Sequence, residues 1–467
     1  MGNDRHLRAA VIAALALAPL AAQAEVTTEE LLRRLEEQEQ KILVLERKLE
    51  IQDEAATAAK ESTAVASAGP RGFSLKSADS KNQLRLRGTL HVDGRYLEGE
   101  DPGGVQDSWQ ATRVRPIFEG TFGGIYDFKF MPDFGQGRTV VQDAYVTARF
   151  NPAFQLTAGK FKSPVGLERL QSANDIRFVQ RAFLTSLAPN RDLGLQFAGE
   201  LWGERLNYAV AWLNGSNDGG SSDTFADADI NSDQEYAVRL FTHPFVESDS
   251  FALRGLGFGV AGTYTDQTGT ALQPLLPAFR TPGQSTFFRY RAATATTAPT
   301  IADGERTRLA PQFYYYYGRL GVLGEYTEVS QDVSRLTSVG LREDTIDTTA
   351  WQLATSWFLT GEEAAYRGFK PLTVFSPADG TWGALELVAR VQALDVDDNA
   401  FTGGGDSFAD LTAAAQEATA WGVGLNWYLN ENLKWMLDYE HTSFEGGAAV
   451  GDREDEDAFQ LRLALGF

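Results

Sequence analysis

Residues 84–96 read LRLRGTLHVDGRY, and their two-residue rhythm decides the fold. Leu84, Leu86, Gly88, Leu90, Val92, Gly94 and Tyr96 are apolar, small or aromatic, whereas Arg85, Arg87, Thr89, His91, Asp93 and Arg95 between them are polar or charged. Successive side chains of a strand point to opposite faces, so this stretch carries one apolar face and one charged face. A soluble sandwich buries an apolar face equally well, and only repetition along the chain separates the two cases.

The same alternation recurs near 111–122, 124–134, 139–150, 153–162, 193–200, 205–214, 235–246, 254–266, 306–318, 319–332, 348–361, 383–396, 418–430, 433–444 and 457–467. With the first, that makes sixteen segments of about ten residues separated by turn residues, an even number suited to a transmembrane β-barrel around an aqueous interior. Trp202, Trp351, Trp357, Trp382, Trp421, Trp427, Tyr428 and Trp435 lie near segment ends, as interfacial girdles require. The last segment alternates through Phe459, Leu461, Leu463 and Leu465 to Phe467, an ending that looks like the assembly signal of bacterial outer-membrane barrels. Polar stretches at 97–108, 215–234, 267–305 and 397–417 read as extracellular loops.

Composition narrows the function classes. The 467 residues carry a net charge of −21, which argues against a nucleic-acid partner. That total does not set what an ion feels inside a pore, because charges act over a Debye length of roughly 8 Å. The chain has no cysteine, so the fold rests on no disulfide and no thiolate metal site. Its four histidines, His6, His91, His243 and His441, show no ligand spacing, and no cofactor is expected. No catalytic serine–histidine–aspartate set or carboxylate pair stands out, so the reading is of a non-enzyme. Residues 1–24, with Arg5, Arg8, an Ala/Leu run and Ala22-Gln23-Ala24, read as a cleaved secretory signal.

Residues 25–56 are expected to form a helical coiled coil, because Thr28, Leu31, Leu35, Gln38, Ile42, Leu45, Leu49 and Gln52 recur at spacings of three and four. An amphipathic helix lying on its own barrel fits the same pattern. Residues 57–72, small and polar and ending at Pro70-Arg71-Gly72, read as a linker, and 73–467 as the barrel.

Cations concentrate in 160–192, where Lys160, Lys162, Arg169, Arg177, Arg181 and Arg191 follow the fifth segment. A loop folded into the barrel as its constriction accounts for this stretch, and a surface loop binding lipopolysaccharide phosphates is the alternative. Guanidinium forks and compact ammonium groups both suit phosphate oxygens. Arg85 and Arg87 share the polar face of the first segment, Arg113 and Arg115 that of the second, and Lys129 that of the third, forming a ladder of cations. Arg280, Arg289 and Arg291, beside Phe279 and Phe287-Phe288, either extend the ladder outward or contact lipopolysaccharide.

The segments TRVRPIFEGTFGGIYDFKF, QDAYVTARFNPAFQLTAGKFKSPVGLE, PNRDLGLQF, GVGLNWYLNENLKW and FQLRLALGF resemble the O/P-type phosphate-selective porins of Gram-negative outer membranes, a likeness covering nearly all of 73–467. The resemblance implies a homotrimer of sixteen-stranded barrels in the outer membrane, with an arginine ladder leading to an inward constriction loop. By it, Arg169 falls where characterised channels keep a central lysine, Ser172 and Arg181 on other constriction positions, Lys129 on a lumen lysine and Arg115 on a ladder arginine. Thr89 and Asn174 replace basic residues of that pattern. The expected function is diffusion of small anions, phosphate or polyphosphate among them. A weakly selective porin, in which Asp93, Glu119, Asp127, Asp133 and Asp143 balance the cations, and a barrel-anchored structural or adhesin protein are the alternatives.

Overall fold

The computed structural model describes residues 28–98, 107–216, 219 and 233–467. The expected signal sequence, 1–24, lies outside them, as do parts of the polar stretches at 97–108 and 215–234. Thr63 and Ala64 separate two compact units.

The first unit holds one helix, α1, Thr28–Ser62. Its length follows from composition: Glu29 and Glu30 occupy the first turn, and leucine, lysine, arginine, glutamate and alanine dominate the rest. The helix continues past residue 56 into the stretch read as a linker, because the alanines there favour helix over coil. Leu35, Ile42, Leu45 and Leu49 of the heptad seam are all exposed.

The second unit is a closed antiparallel barrel of sixteen strands: β1 Gln83–Glu98, β2 Ser108–Phe122, β3 Tyr126–Asp133, β4 Val140–Asn151, β5 Phe154–Phe161, β6 Asp192–Leu201, β7 Leu206–Leu213, β8 Glu235–Thr242, β9 Leu256–Thr268, β10 Ile301–Tyr317, β11 Leu320–Thr337, β12 Gly340–Phe358, β13 Ala384–Val396, β14 Ala415–Tyr428, β15 Leu433–Gly446 and β16 Glu456–Gly466. Each strand pairs with the next, and β16 returns to β1 from Asp457↔Glu98 to Gly466↔Thr89, so no edge is left to lipid. A hairpin of Val65–Gly69 and Gly72–Lys76 occupies the rest of the expected linker and extends the sheet below β16, with Phe73 opposite Leu86.

Connections alternate in length around the barrel. Those on the side of Gln83 and Phe467 are mostly short (123–125, 152–153, 202–205, 318–319 and 429–432), which marks that end as periplasmic. The connections 243–255 and 359–383 are the longer ones there.

Closure is finished by the last residue. Phe467 N–H and C=O bond to Gly88 at 3.0 Å each, and its ring meets Phe73 edge-on. The ring lies 2.6 Å from where a Cβ on residue 88 would stand, so only glycine fits beneath it. Gly88→Val is expected to cost about 1–3 kcal/mol by overpacking and to lower the temperature at which the barrel loses its folded mobility on a semi-native gel. An unchanged transition would mean that the ring does not close this seam.

Candidate functional site

The connection 162–191, between β5 and β6, turns into the barrel, carrying a one-turn helix at Leu167–Leu170 and a 3-10 turn at Phe183–Leu187. Backbone groups brought inside a barrel need partners, and the facing wall supplies them. Glu325 on β11 accepts from the Leu167 N–H and, at 3.2 Å, from that of Glu168, while Gln352 on β12 donates to Glu325 at 2.9 Å. Gln392 on β13 accepts from Phe183 N–H at 2.7 Å, and Asp438 on β15 accepts from Val179 N–H. Asn426 on β14 and Lys434 on β15 donate to the carbonyls of Arg177 and Ile176 at 3.0 and 3.1 Å. Arg390 on β13 donates to Gln180 O at 3.1 Å and meets Glu440 at 2.7 Å. Phe183, Leu184 and Leu187 add an apolar anchor, packing against Phe279 and Phe287 of the loop 269–300 and against Val329, Ile346 and Leu394 of the wall.

On its other side the loop borders a cavity of about 760 Å³. Nine cations line it (Arg87, Arg113, Arg115, Lys129, Lys162, Arg169, Arg181, Arg191 and Arg367), against two carboxylates, Asp143 and Asp175. The cations fall into two groups. Those of the wall, together with Arg191 at the end of the loop, are mostly paired: Arg87 meets Glu119 at 3.2 Å, Arg115 meets Asp133 at 2.7 Å, and Lys129 and Arg191 share Asp143 at 2.8 and 2.7 Å.

The other loop cations of the cavity bond to neutral acceptors. Lys162 Nζ donates to the carbonyls of Arg169 and Gln171 at 2.8 and 2.7 Å, Arg181 donates to those of Glu168 and Gln171 at 3.1 and 3.0 Å, and Arg169 donates to Thr185 O. A carbonyl fixes a cation's direction without cancelling its charge. Among the described residues, Lys162, Arg169, Arg181 and Arg113 have no carboxylate within ion-pair distance, so the positive charge of the cavity is concentrated along the loop. Enclosure first, and then the Arg181 and Arg191 guanidiniums, hold the Lys162 ammonium well below the ordinary lysine value.

Of the residues singled out from sequence, Lys129, Lys162, Arg169, Ser172, Arg181, Arg191, Arg87, Arg113 and Arg115 therefore share one cavity. The others lie elsewhere. Arg177 pairs with Glu386 on β13 at 2.8 Å and donates to Ala365 O at 2.7 Å, which makes it an anchor of the loop. Lys160 is buried away from the cavity lining. Arg85 is exposed, with Gln83 beside it at 3.4 Å. Phe279, Phe287 and Phe288 are buried core, whereas Arg280 and Arg289 are exposed and Arg291 is spent on Asp410 and Ser407 of the loop 397–414.

The connection 359–383 escaped the sequence reading. It folds upward from the periplasmic end: Tyr366 Oη donates to Leu167 O at 2.6 Å, its carbonyl accepts from Gln171 at 2.9 Å, and Phe369 stacks on Phe358 and packs at a tilt against Tyr428. Arg367 and Gly368 thereby reach the main cavity, while Phe369 and Lys370 line a second one of about 520 Å³ toward the periplasmic mouth. Its length, in a position where turns are mostly short, was the signal available.

A closed sixteen-stranded barrel narrowed by an inward loop defines an outer-membrane porin, a channel rather than an enzyme. The chain belongs to the phosphate-selective porin O and P family, whose model matches residues 84–467. In fold it is similar to the outer membrane channel DcaP of Acinetobacter baumannii, with a TM-score of 0.50 and 12% identity over 85% of this chain and 99% of that one. It is also similar to Salmonella typhi OmpF in complex with daunomycin, with a TM-score of 0.51 and 13% identity over 83% and 98%. No curated protein sequence matches it at a significant level.

Glu325→Ala removes the acceptor of two loop N–H groups, a loss of about 1–3 kcal/mol per buried group left unpaired. The expected result is a noisier and larger single-channel conductance. A quiet trace of unchanged size would show that the carboxylate does not hold the loop.

Proposed function

We propose that this porin passes small anions, with phosphate-like oxyanions favoured, along the cationic face of the constriction loop. The observation that carries the reading is that Lys162, Arg169 and Arg181 are held by backbone carbonyls, leaving their charge uncancelled in a water-accessible cavity. Two guanidinium forks and one ammonium within one cavity suit an oxyanion with several acceptor oxygens. The paired cations, Arg87, Arg115 and Lys129 of the wall and Arg191 of the loop, contribute donors with a reduced net field, so an anion meets no single deep well. Those same pairs favour the second reading, a weakly selective porin for small polar solutes.

We further propose that the chain works as a homotrimer in which the exposed seam of α1, with Leu35, Ile42, Leu45 and Leu49, is covered by its counterparts as a coiled coil. Exposed Arg280 and Arg289 suit contact with lipopolysaccharide phosphates at the cell surface.

The experiment is single-channel recording in chloride with and without added phosphate. Removing one charge at about 6 Å in water changes an anion's energy by about 0.7 kcal/mol, so Arg169→Ala and Arg181→Ala should each reduce the anion-to-cation permeability ratio about threefold, with Arg85→Ala neutral. Cation preference in the wild type, or phosphate that neither blocks nor competes with chloride, would remove the phosphate reading. Because Lys162 is held well below the ordinary lysine value, its charge is lost on raising the pH before other lysines discharge. Anion preference should therefore decline over that rise in pH for the wild type and stay constant for Lys162→Arg.

A further inference from the structure

A chain of four side chains joins the wall of the barrel to the constriction loop at the β16–β1 seam. Arg113 on β2 donates to His91 Nδ1 at 3.1 Å, His91 Nε2 lies 2.9 Å from Asn174 Oδ1, and Asn174 Nδ2 donates to Thr89 Oγ1 at 3.1 Å. A guanidinium has no acceptor, so Nδ1 must be bare and the proton must sit on Nε2. The imidazole is therefore neutral, and it serves as acceptor toward the wall and donor toward the loop at once.

The site is built to receive the loop. Asn174 enters over Gly466, where an added Cβ would stand 2.4 Å from its amide nitrogen, so the seam is glycine at the point of entry. His91 is fully buried in this position. The groups facing it from every side are Arg113 on β2, Arg462 on β16, Lys434 on β15 and the polar Asn174 of the loop. Asp93, a carboxylate beside them, is engaged by Arg462 through both oxygens at 2.6 Å.

We infer that His91 is a positioning residue whose protonation state sets the placement of Arg113 and of the loop segment around Asn174, and so makes the pore respond to acid. A proton taken up at Nδ1 turns that atom from acceptor to donor. It can then no longer receive Arg113, and two cations are left 3.1 Å apart. Arg113, which lines the main cavity, is displaced, and one unit of charge is added beside the path.

The test is the reversal potential and conductance of the full-length porin between about pH 7.5 and about pH 4, a range that spans histidine titration. The wild type should show a step, with the anion-to-cation permeability ratio rising about twofold on acidification, the effect of one charge at some 8 Å in water. His91→Gln offers a carbonyl to Arg113 and an amide N–H to Asn174 without titrating, so it should keep the neutral-pH conductance and lose the step. Asn174→Asp places a carboxylate on the imidazole and should move the step to higher pH, a shift that a merely structural role would not produce. A wild type without a step in this range, or a step that survives in His91→Gln, overturns the inference. A pore that prefers cations at every pH, yet loses its step in His91→Gln, would overturn the anion reading above and leave this one standing.

Discussion

Backbone amides brought into the barrel by the connection 162–191 must find acceptors, and most of the remaining arrangement follows from where those acceptors stand. They are on β11, β13 and β15, where Glu325, Gln392 and Asp438 face inward. With its back pinned to that wall, the loop offers Lys162, Arg169 and Arg181 to the opposite half of the lumen. The carboxylates of the anchoring wall are then occupied by N–H groups and by Arg177 and Arg390. One interior is thereby divided into a consumed acidic side and an available basic side. A chain of net charge −21 thereby holds a cavity lined by nine cations and two carboxylates.

Lipid on the outside is what made the barrel legible. Every strand of a lipid-facing wall must alternate, so the stretch 153–162 announced Phe154–Phe161 and 433–444 announced Leu433–Gly446, and the sixteen strands agree with the sixteen segments. Parity also assigned Arg113, Arg115 and Lys129 to the polar face that lines the cavity. The resemblance drawn from GKFKSPVGLE and its companion segments leads to the same family that the whole barrel matches.

Pairing was not legible, because it depends on stagger between strands and on contacts far apart in sequence. Nothing near Lys129 says that Asp143 of the next strand will neutralise it, nor near Arg177 that Glu386 will take it out of the lumen. The aromatic-rich run 279–291 read as an outward extension of the ladder or a lipopolysaccharide contact, yet Phe279, Phe287 and Phe288 are buried in the hydrophobic core. His91 looked like one more polar residue of an alternating strand. Its weight comes from a residue 83 positions away and from a glycine at the far end of the chain.

The turn 359–383 has a practical bearing on how this molecule tolerates change. Most periplasmic connections here are short and bond only to a neighbouring strand or turn, as Gly124 N–H does to Lys81 O at 2.8 Å, so a tag or a fused domain placed at 123–125 disturbs that contact and two strand ends. The same insertion at 366–368 would be transmitted through Tyr366 to the carbonyl of Leu167 in the inward loop. Flux across the outer membrane is thus exposed to whatever binds, cuts or pulls on one short stretch of polypeptide on the inner side.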